Sequence, residues 1–153
     1  MIVERLLGTP VRLSFKIGSI SPGLLETRID NSWSIKENIG HLNDLEPLWQ
    51  NRLYDIISGS EYMTPTDLAN NKTDMANHNN KSVDEPINEF SVIRSETLSM
   101  LENISEDHIF KFSLHPRLKT PMRTMDLFLF VAEHDDHHHA RITAVEKQLR
   151  KTS

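Results

Sequence analysis

The longest amphipathic pattern lies in the last third of the chain. Apolar and histidine side chains recur there every three or four residues, at Leu127, Val131, His134, His138, Ile142, Val145 and Leu149. This spacing places them on one face of a single α-helix that faces a core. Two histidines therefore interrupt an apolar face. A buried polar group costs free energy unless a partner satisfies it, and imidazoles four residues apart can converge on one metal ion.

A first helix is predicted near the N-terminus. Thr9 reads as an N-cap, and Pro10 follows at the first helical position, where its missing N–H does no harm. Residues 1–8 are then a leading turn, and the Ser-Pro-Gly sequence at 21–23 ends the helix.

Ser32 and Ser34 are the two candidate caps of the second predicted helix, and Glu37 completes a capping box with Ser34. Pro47 lies inside it and should kink it or leave a carbonyl without its partner. A third helix is predicted from about Glu85 to Ile104. Its periodic positions are Ile87, Phe90, Arg94, Thr97, Leu98 and Leu101.

Two polar segments separate these helices. Residues 58–84 form a long loop between the second and third helices, with a short helix near 65–68, and residues 110–121 form a connector before the fourth helix, which Thr124 caps. Four main helices with one long connection predict an all-α four-helix bundle. We expect residues 1–153 to form one domain.

A third imidazole joins the two on the last helix. His41 lies on the second helix between Ile39 and Leu42, at the edge of its apolar face. Bundle interiors are known places for metal sites, and three nitrogen ligands leave one coordination position open for water or substrate. His41, His134 and His138 are therefore candidate ligands. Imidazole ligands suit zinc, nickel, copper or iron(II), and the sequence alone does not choose between them. We expect zinc or nickel, with iron or manganese as alternatives.

The remaining polar residues near these histidines have less specific predictions. Glu133 and Asp135 are candidates for a general base or for hydrogen-bond partners of the ligands, and a solvated helix face is the alternative. His137 and His139 point sideways, toward solvent. We expect His78, in the Asn-rich loop, to be exposed. His115, which precedes Pro116, is expected to shape the connector. Asp44 either orients a ligand or faces water.

Composition narrows the class of function. The net charge is −5 and no basic stripe is present, which argues against nucleic-acid binding. The chain has no cysteine, so protein disulfides, thiolate ligands and a cysteine nucleophile are excluded. Any thiol must come from a small molecule. With no apolar segment long enough for a signal peptide or a membrane span, we expect a soluble cytoplasmic protein.

Ordered motifs resemble one known family over nearly the whole chain. They are Thr9-Pro10, Trp33-Ser34, Glu37, Gly40-His41-Leu42, Asp44, Glu46, Arg52, His115-Pro116 and the segment from His134 to Ile142. Together they resemble the DinB-like (YfiT-like) superfamily, most closely its DinB_2-type members. Arg141 stands where many relatives have glutamine, and Pro47 follows His41 by less than two turns.

The resemblance implies a four-helix bundle in which His41, His134 and His138 bind a divalent metal. It also implies a relation to transferases and isomerases that use small thiols, and to proteins that are often dimers.

Three functional hypotheses follow. The first is a metal-dependent S-transferase acting on a small-molecule substrate with a low-molecular-weight thiol. The second is a metal-dependent hydrolase that uses metal-bound water, with Asp135 or Glu133 as base. The third is a non-catalytic bundle that binds a metal or a ligand. We expect a homodimer and no nucleic-acid or membrane partner.

Overall fold

Four long helices form a bundle in the computed structural model, which describes residues 1–152. The long helices are α1 (Ile2–Gly18), α3 (Ile35–Ser58), α5 (Asp84–Glu102) and α6 (Thr124–Thr152), and two short helices, α2 (Pro22–Leu25) and α4 (Asn71–Met75), lie in the connections. Two short strands, β1 (Phe112–Leu114) and β2 (Pro121–Arg123), pair antiparallel between α5 and α6. Helices α1 and α3 each pack against both α5 and α6. The predicted all-α bundle is confirmed.

A buried polar layer divides the bundle core into two apolar clusters. One cluster contains Trp49, Leu53, Leu127 and Val131, and the other contains Leu13, Ile39, Phe90 and Ile142. Each long helix contributes at least one buried polar side chain at the level between them: Thr9, Glu46, Arg94, Thr97 and Asp135. The layer matters for the site because its α3 and α6 residues lie within one or two turns of the candidate metal ligands.

The predicted start of the first helix is wrong. Helix α1 begins at Ile2, so Pro10 lies inside it and Thr9 is not its N-cap. Proline at position 10 cannot donate a hydrogen bond to the carbonyl of Leu6, four residues earlier. The Nη1 group of Arg94 donates to that carbonyl instead, at 3.1 Å. The tertiary contact replaces the missing helical hydrogen bond and lets the helix continue.

The other helix boundaries follow the sequence more closely. The capping box is confirmed, because the Ser34 hydroxyl accepts from the Glu37 N–H and the Glu37 carboxylate accepts from the Ser34 N–H. The predicted cap at Thr124 is wrong: its hydroxyl is buried without a partner in the described part of the chain. The carboxylate of Asp126 accepts from the N–H of Arg123 at this helix start.

The two polar segments contain more structure than the pattern predicts. The expected short helix near 65–68 is found later, as α4, and a 3-10 turn covers His78–Asn80. The connector 110–121 contains the hairpin of β1 and β2, which is too short to show an alternating pattern. No helix within residues 1–152 is long and apolar enough to cross a membrane.

Candidate metal centre

The three predicted ligands meet in the interior of the bundle. Helix α3 supplies His41, and α6 supplies His134 and His138 one turn apart on its inner face. One potential ligand atom from each residue lies within 4.8 Å of those of the other two. His41 and His138 are buried, and His134 is half-buried. The i, i+4 spacing brings two rings together, and the packing of α3 against α6 adds the third.

A hydrogen-bond chain orients His41. Thr73 Oγ1 lies 3.0 Å from His41 Nδ1 and 3.0 Å from Asp44 Oδ2. The ionised carboxylate of Asp44 only accepts, so the Thr73 hydroxyl donates to it and accepts from the Nδ1–H of His41. This chain places the proton of His41 on Nδ1 and leaves the lone pair of Nε2 for a ligand.

A second hydrogen bond orients His138 in the same way. Its Nδ1 lies 2.9 Å from Asn38 Oδ1. The amide nitrogen of Asn38 donates to the carbonyl of Ser34 at 2.8 Å, which identifies the other atom of the amide as the acceptor oxygen. His138 therefore donates through Nδ1, and its Nε2 lone pair is available to a metal.

His134 has unused hydrogen-bonding capacity. Its Nδ1 is buried and has no partner among residues 1–152. Its ring packs edge-on against Trp49, with the centroids 5.6 Å apart. Unpaired buried polar atoms cost free energy, so this ring is poorly explained as packing alone. Two oriented imidazoles and this unpaired one form a nitrogen donor set that suits a divalent transition metal.

The three imidazoles are neutral at physiological pH. Burial lowers the pKa of His41 and of His134 to about 4, and the pKa of His138 to about 2. Repulsion from neighbouring histidines adds to the effect of burial on each of them. Only a neutral imidazole has a lone pair for a metal, so the cluster is in its ligating form at pH 7.

The segment between α3 and α5 covers one side of the cluster. Trp33 packs on His41 with ring centroids 4.6 Å apart, and its Nε1 donates to Asp74 in α4 at 3.0 Å. The expectation that His78 is exposed is wrong. Its side chain is 2% exposed, and its Nε2 lies 2.8 Å from Asp44 Oδ2. Its ring occupies the space that a side chain at Gly40 would fill.

A cavity of about 500 Å³ opens next to the cluster and reaches His41 and His134. The cavity is lined by Trp49 and Phe130 and by residues of the segments 65–70 and 115–118. A small molecule in this cavity would contact two of the three imidazoles.

The two candidate bases lie away from the cavity. Asp135 is 1% exposed and belongs to the buried polar layer, where its carboxylate accepts from Arg94 at 2.7 and 3.1 Å and from Thr9 at 2.8 Å. Glu133 lies on the outer face of α6 and pairs with Arg5 at 2.8 Å.

Sequence reasoning did not identify Trp33, Asn38 or Thr73 as part of the site. Asn38 lies one turn before His41, so its position on α3 was a usable signal. Thr73 lies in the polar segment, where no periodicity indicates which side chain turns inward.

A model of the DinB superfamily matches residues 8–142 of this chain. No curated protein matches the sequence. The structure is similar to that of YfiT from Bacillus subtilis, described as a probable metal-dependent hydrolase with an unusual four-helix bundle topology. The TM-score is 0.81 at 17% identity, over 97% of this chain and 85% of that one.

Two further solved structures share the fold. A protein from Streptococcus pneumoniae matches with a TM-score of 0.69 and 14% identity, over 95% of this chain and 88% of that one. A mycothiol-dependent maleylpyruvate isomerase matches with a TM-score of 0.65 and 16% identity, over 90% of this chain but 59% of the isomerase.

Proposed function

The chain belongs to the DinB superfamily, and we propose that it is a metal-dependent enzyme with His41, His134 and His138 as the metal ligands. One observation supports this most strongly. Three neutral imidazoles converge beside a cavity, and hydrogen bonds through Nδ1 direct the Nε2 atoms of two of them toward a ligand. Zinc or nickel suits this donor set best, with iron or manganese as alternatives.

The surrounding residues have distinct roles in this proposal. A bound divalent metal would supply Lewis acidity and lower the pKa of a thiol or water. Asn38 and Thr73 hold the rings of His138 and His41 in their ligating tautomers. Trp33 and Trp49 pack on opposite members of the cluster and limit the access of water to it.

The reaction that we propose is the transfer of a small thiol to an electrophile. The thiol gives its proton to water, its sulfur forms a bond to an electrophilic carbon, and the bond from that carbon to the leaving group breaks, with the electron pair going to the leaving group. The chain has no cysteine, so the sulfur must come from a small molecule. The shared fold with a protein described as a mycothiol-dependent isomerase supports this choice.

The test uses tag-free protein loaded with zinc or nickel and monochlorobimane as the electrophile. Each of several small thiols is added in turn, and the formation of the fluorescent thioether is measured. We expect at least one thiol to be turned over, and the His138→Ala variant to fall to the rate without protein, because a ligand is lost. An equal rate for wild type and His138→Ala with every thiol would contradict the proposal.

Hydrolysis is the second candidate, supported by the similarity to YfiT, which is described as a probable metal-dependent hydrolase. Asp135 or Glu133 would be the base in this alternative, although Asp135 would first have to leave Arg94. Turnover of nitrophenyl esters without any thiol, lost in His138→Ala, would favour this reaction. Turnover only with a thiol would exclude it.

We also propose that a second copy of the chain packs on α1. An apolar stripe on the outer face of this helix is exposed, formed by Val3, Leu7, Val11 and Phe15. Exposed apolar stripes of this kind are typical of association surfaces. Light scattering should give a dimer for the wild type and a monomer for Leu7→Glu; a wild-type monomer would contradict this assignment.

A further inference from the structure

Arg52 is a buried cation at the edge of the cavity next to the candidate metal ligands. Arg52 is 2% exposed and lines the same cavity as His41 and His134. Its Nε donates to the carbonyl of Thr64 at 2.9 Å, and its guanidinium carbon lies 5.5 Å from the ring centroid of Trp49. These two contacts fix the plane of the guanidinium group.

Arg52 has no direct ion pair among residues 1–152, and the carboxylate of Asp55 acts on its charge only from a distance. No carboxylate oxygen lies within 4.0 Å of its guanidinium among residues 1–152. The nearby carboxylate of Asp55 accepts instead from the N–H and the hydroxyl of Thr64, at 2.6 and 2.7 Å. The Nη2 atom of Arg52 is buried and has no hydrogen-bond partner in the described structure.

Arg94 is a buried arginine whose guanidinium is fully paired, and it serves as a comparison for Arg52. It is as deeply buried as Arg52, yet it donates to Glu46, to Asp135 and to the carbonyl of Leu6. A buried cation without a counter-ion is costly, so such a group beside a cavity is a candidate for binding an anionic ligand. Arg52 differs from Arg94 because it lines a cavity and has a guanidinium nitrogen without a partner in the described structure.

His115 adds a second donor at the same cavity. Its Nδ1 accepts from the backbone N–H groups of Arg117 and Leu118, at 3.3 and 3.1 Å. A ring nitrogen that accepts has no proton, so the neutral ring has its proton on Nε2. His115 lines the same cavity as Arg52, and burial, together with the positive charge of Arg52, lowers the pKa of its imidazole.

We propose that Arg52, assisted by His115, binds a carboxylate group of the substrate beside the metal centre. This inference rests on the proposed function, which makes this cavity the substrate site, and it adds the chemical class of the substrate. A carboxylate matches the planar fork of a guanidinium and provides the charge that Arg52 lacks. Either the thiol or the electrophile is the molecule that has this carboxylate.

The first part of the test measures binding without metal, so that it is independent of catalysis. Metal-free protein, desalted from chelator, is titrated by calorimetry with succinate and with succinamide, its neutral analogue. We expect succinate to bind and succinamide to bind at least about tenfold more weakly, because a hydrogen bond to a charged group is lost.

Variants assign the binding to Arg52. The Arg52→Met variant should bind succinate about ten- to a hundredfold more weakly. The exposed Arg123→Met variant makes the same change in net charge and should bind within about threefold of wild type, because an exposed charge is screened. If Arg52→Met does not fold, Arg52→Lys keeps the charge without the fork and should bind at least about tenfold more weakly. Equal affinities of the wild type for succinate and succinamide would overturn the proposal, and so would a wild-type affinity for succinate in the Arg52 variants.

Kinetics with zinc-loaded protein distinguish the two sources of the carboxylate. With a carboxylate-bearing thiol and uncharged monochlorobimane, Arg52→Met should raise the KM of the thiol if the thiol is the source. If the KM of the thiol is unchanged and succinate competes with the electrophile, the electrophile is the source. Loss of succinate binding in Arg52→Met supports the carboxylate site even if no thiol transfer is found, so the two proposals can fail separately.

Discussion

Replacing Arg94 with methionine should lower the free energy of unfolding by about 3–5 kcal/mol. The guanidinium of Arg94 is 1% exposed and donates to Glu46 at 2.6 and 2.9 Å and to Asp135 at 2.7 and 3.1 Å. Without it, two carboxylates remain inside the bundle with no counter-charge. The carbonyl of Leu6 also loses the donor that replaces the missing N–H of Pro10.

A matched variant separates the loss of charge balance from the loss of packing. Substituting Arg94→Met together with Glu46→Leu and Asp135→Leu removes the whole charged group and should recover most of the lost stability, because buried ion pairs are often replaceable by apolar residues. Urea unfolding followed by circular dichroism gives both free energies. A loss below about 1 kcal/mol in Arg94→Met would show that the layer does not hold the bundle together.

The metal-free protein should lose stability as the pH falls below about 6.5. In the unfolded chain the three histidines bind protons near their ordinary pKa of 6.5, whereas in the folded protein His41 and His134 bind them only at about pH 4 and His138 at about pH 2. The unfolded state therefore binds more protons between these values. Above pH 6.5 the three histidines leave the free energy of unfolding unchanged. Below pH 6.5 they lower it until the folded protein also binds the protons.

The expected slope is about 1.4 kcal/mol per pH unit for each histidine, and therefore about 4 kcal/mol per unit for the three together. Carboxylates also titrate in this range, in both proteins. The difference between the curves of wild type and His138→Gln therefore gives the contribution of His138 alone. Urea unfolding at pH 7, 6 and 5 provides the curves. Parallel curves for wild type and variant would mean that His138 is not held neutral by the fold.

Much of the fold could be predicted because burial imposes a helical period on each long helix. The capping-box pattern of Ser34 and Glu37 placed the start of α3 within two residues, since Ser32 was the alternative cap. The start of α1 could not be predicted, because the local pattern of Thr9-Pro10 is typical of a helix start. The helix continues through Pro10 because Arg94, on another helix, donates to the carbonyl of Leu6. The hairpin of β1 and β2 is too short to leave a pattern.

The candidate site was predicted in part for the same reason. His134 and His138 lie one turn apart on an apolar face, and His41 lies at the edge of another, so their meeting follows from helix packing. Side chains from irregular segments have no such period. Thr73, His78 and Arg52 could be assigned only when their partners were known, because their roles depend on contacts between residues far apart in the chain.

The metal content of tag-free protein tests the central claim most directly. Elemental analysis is made on wild type, His41→Ala and His138→Ala after each is incubated with zinc or nickel and desalted. We expect about one ion per chain in the wild type and loss of the ion in both variants, since each removes a ligand from a different helix. Wild type without metal, or variants that retain the wild-type amount, would contradict a metal centre formed by the three histidines.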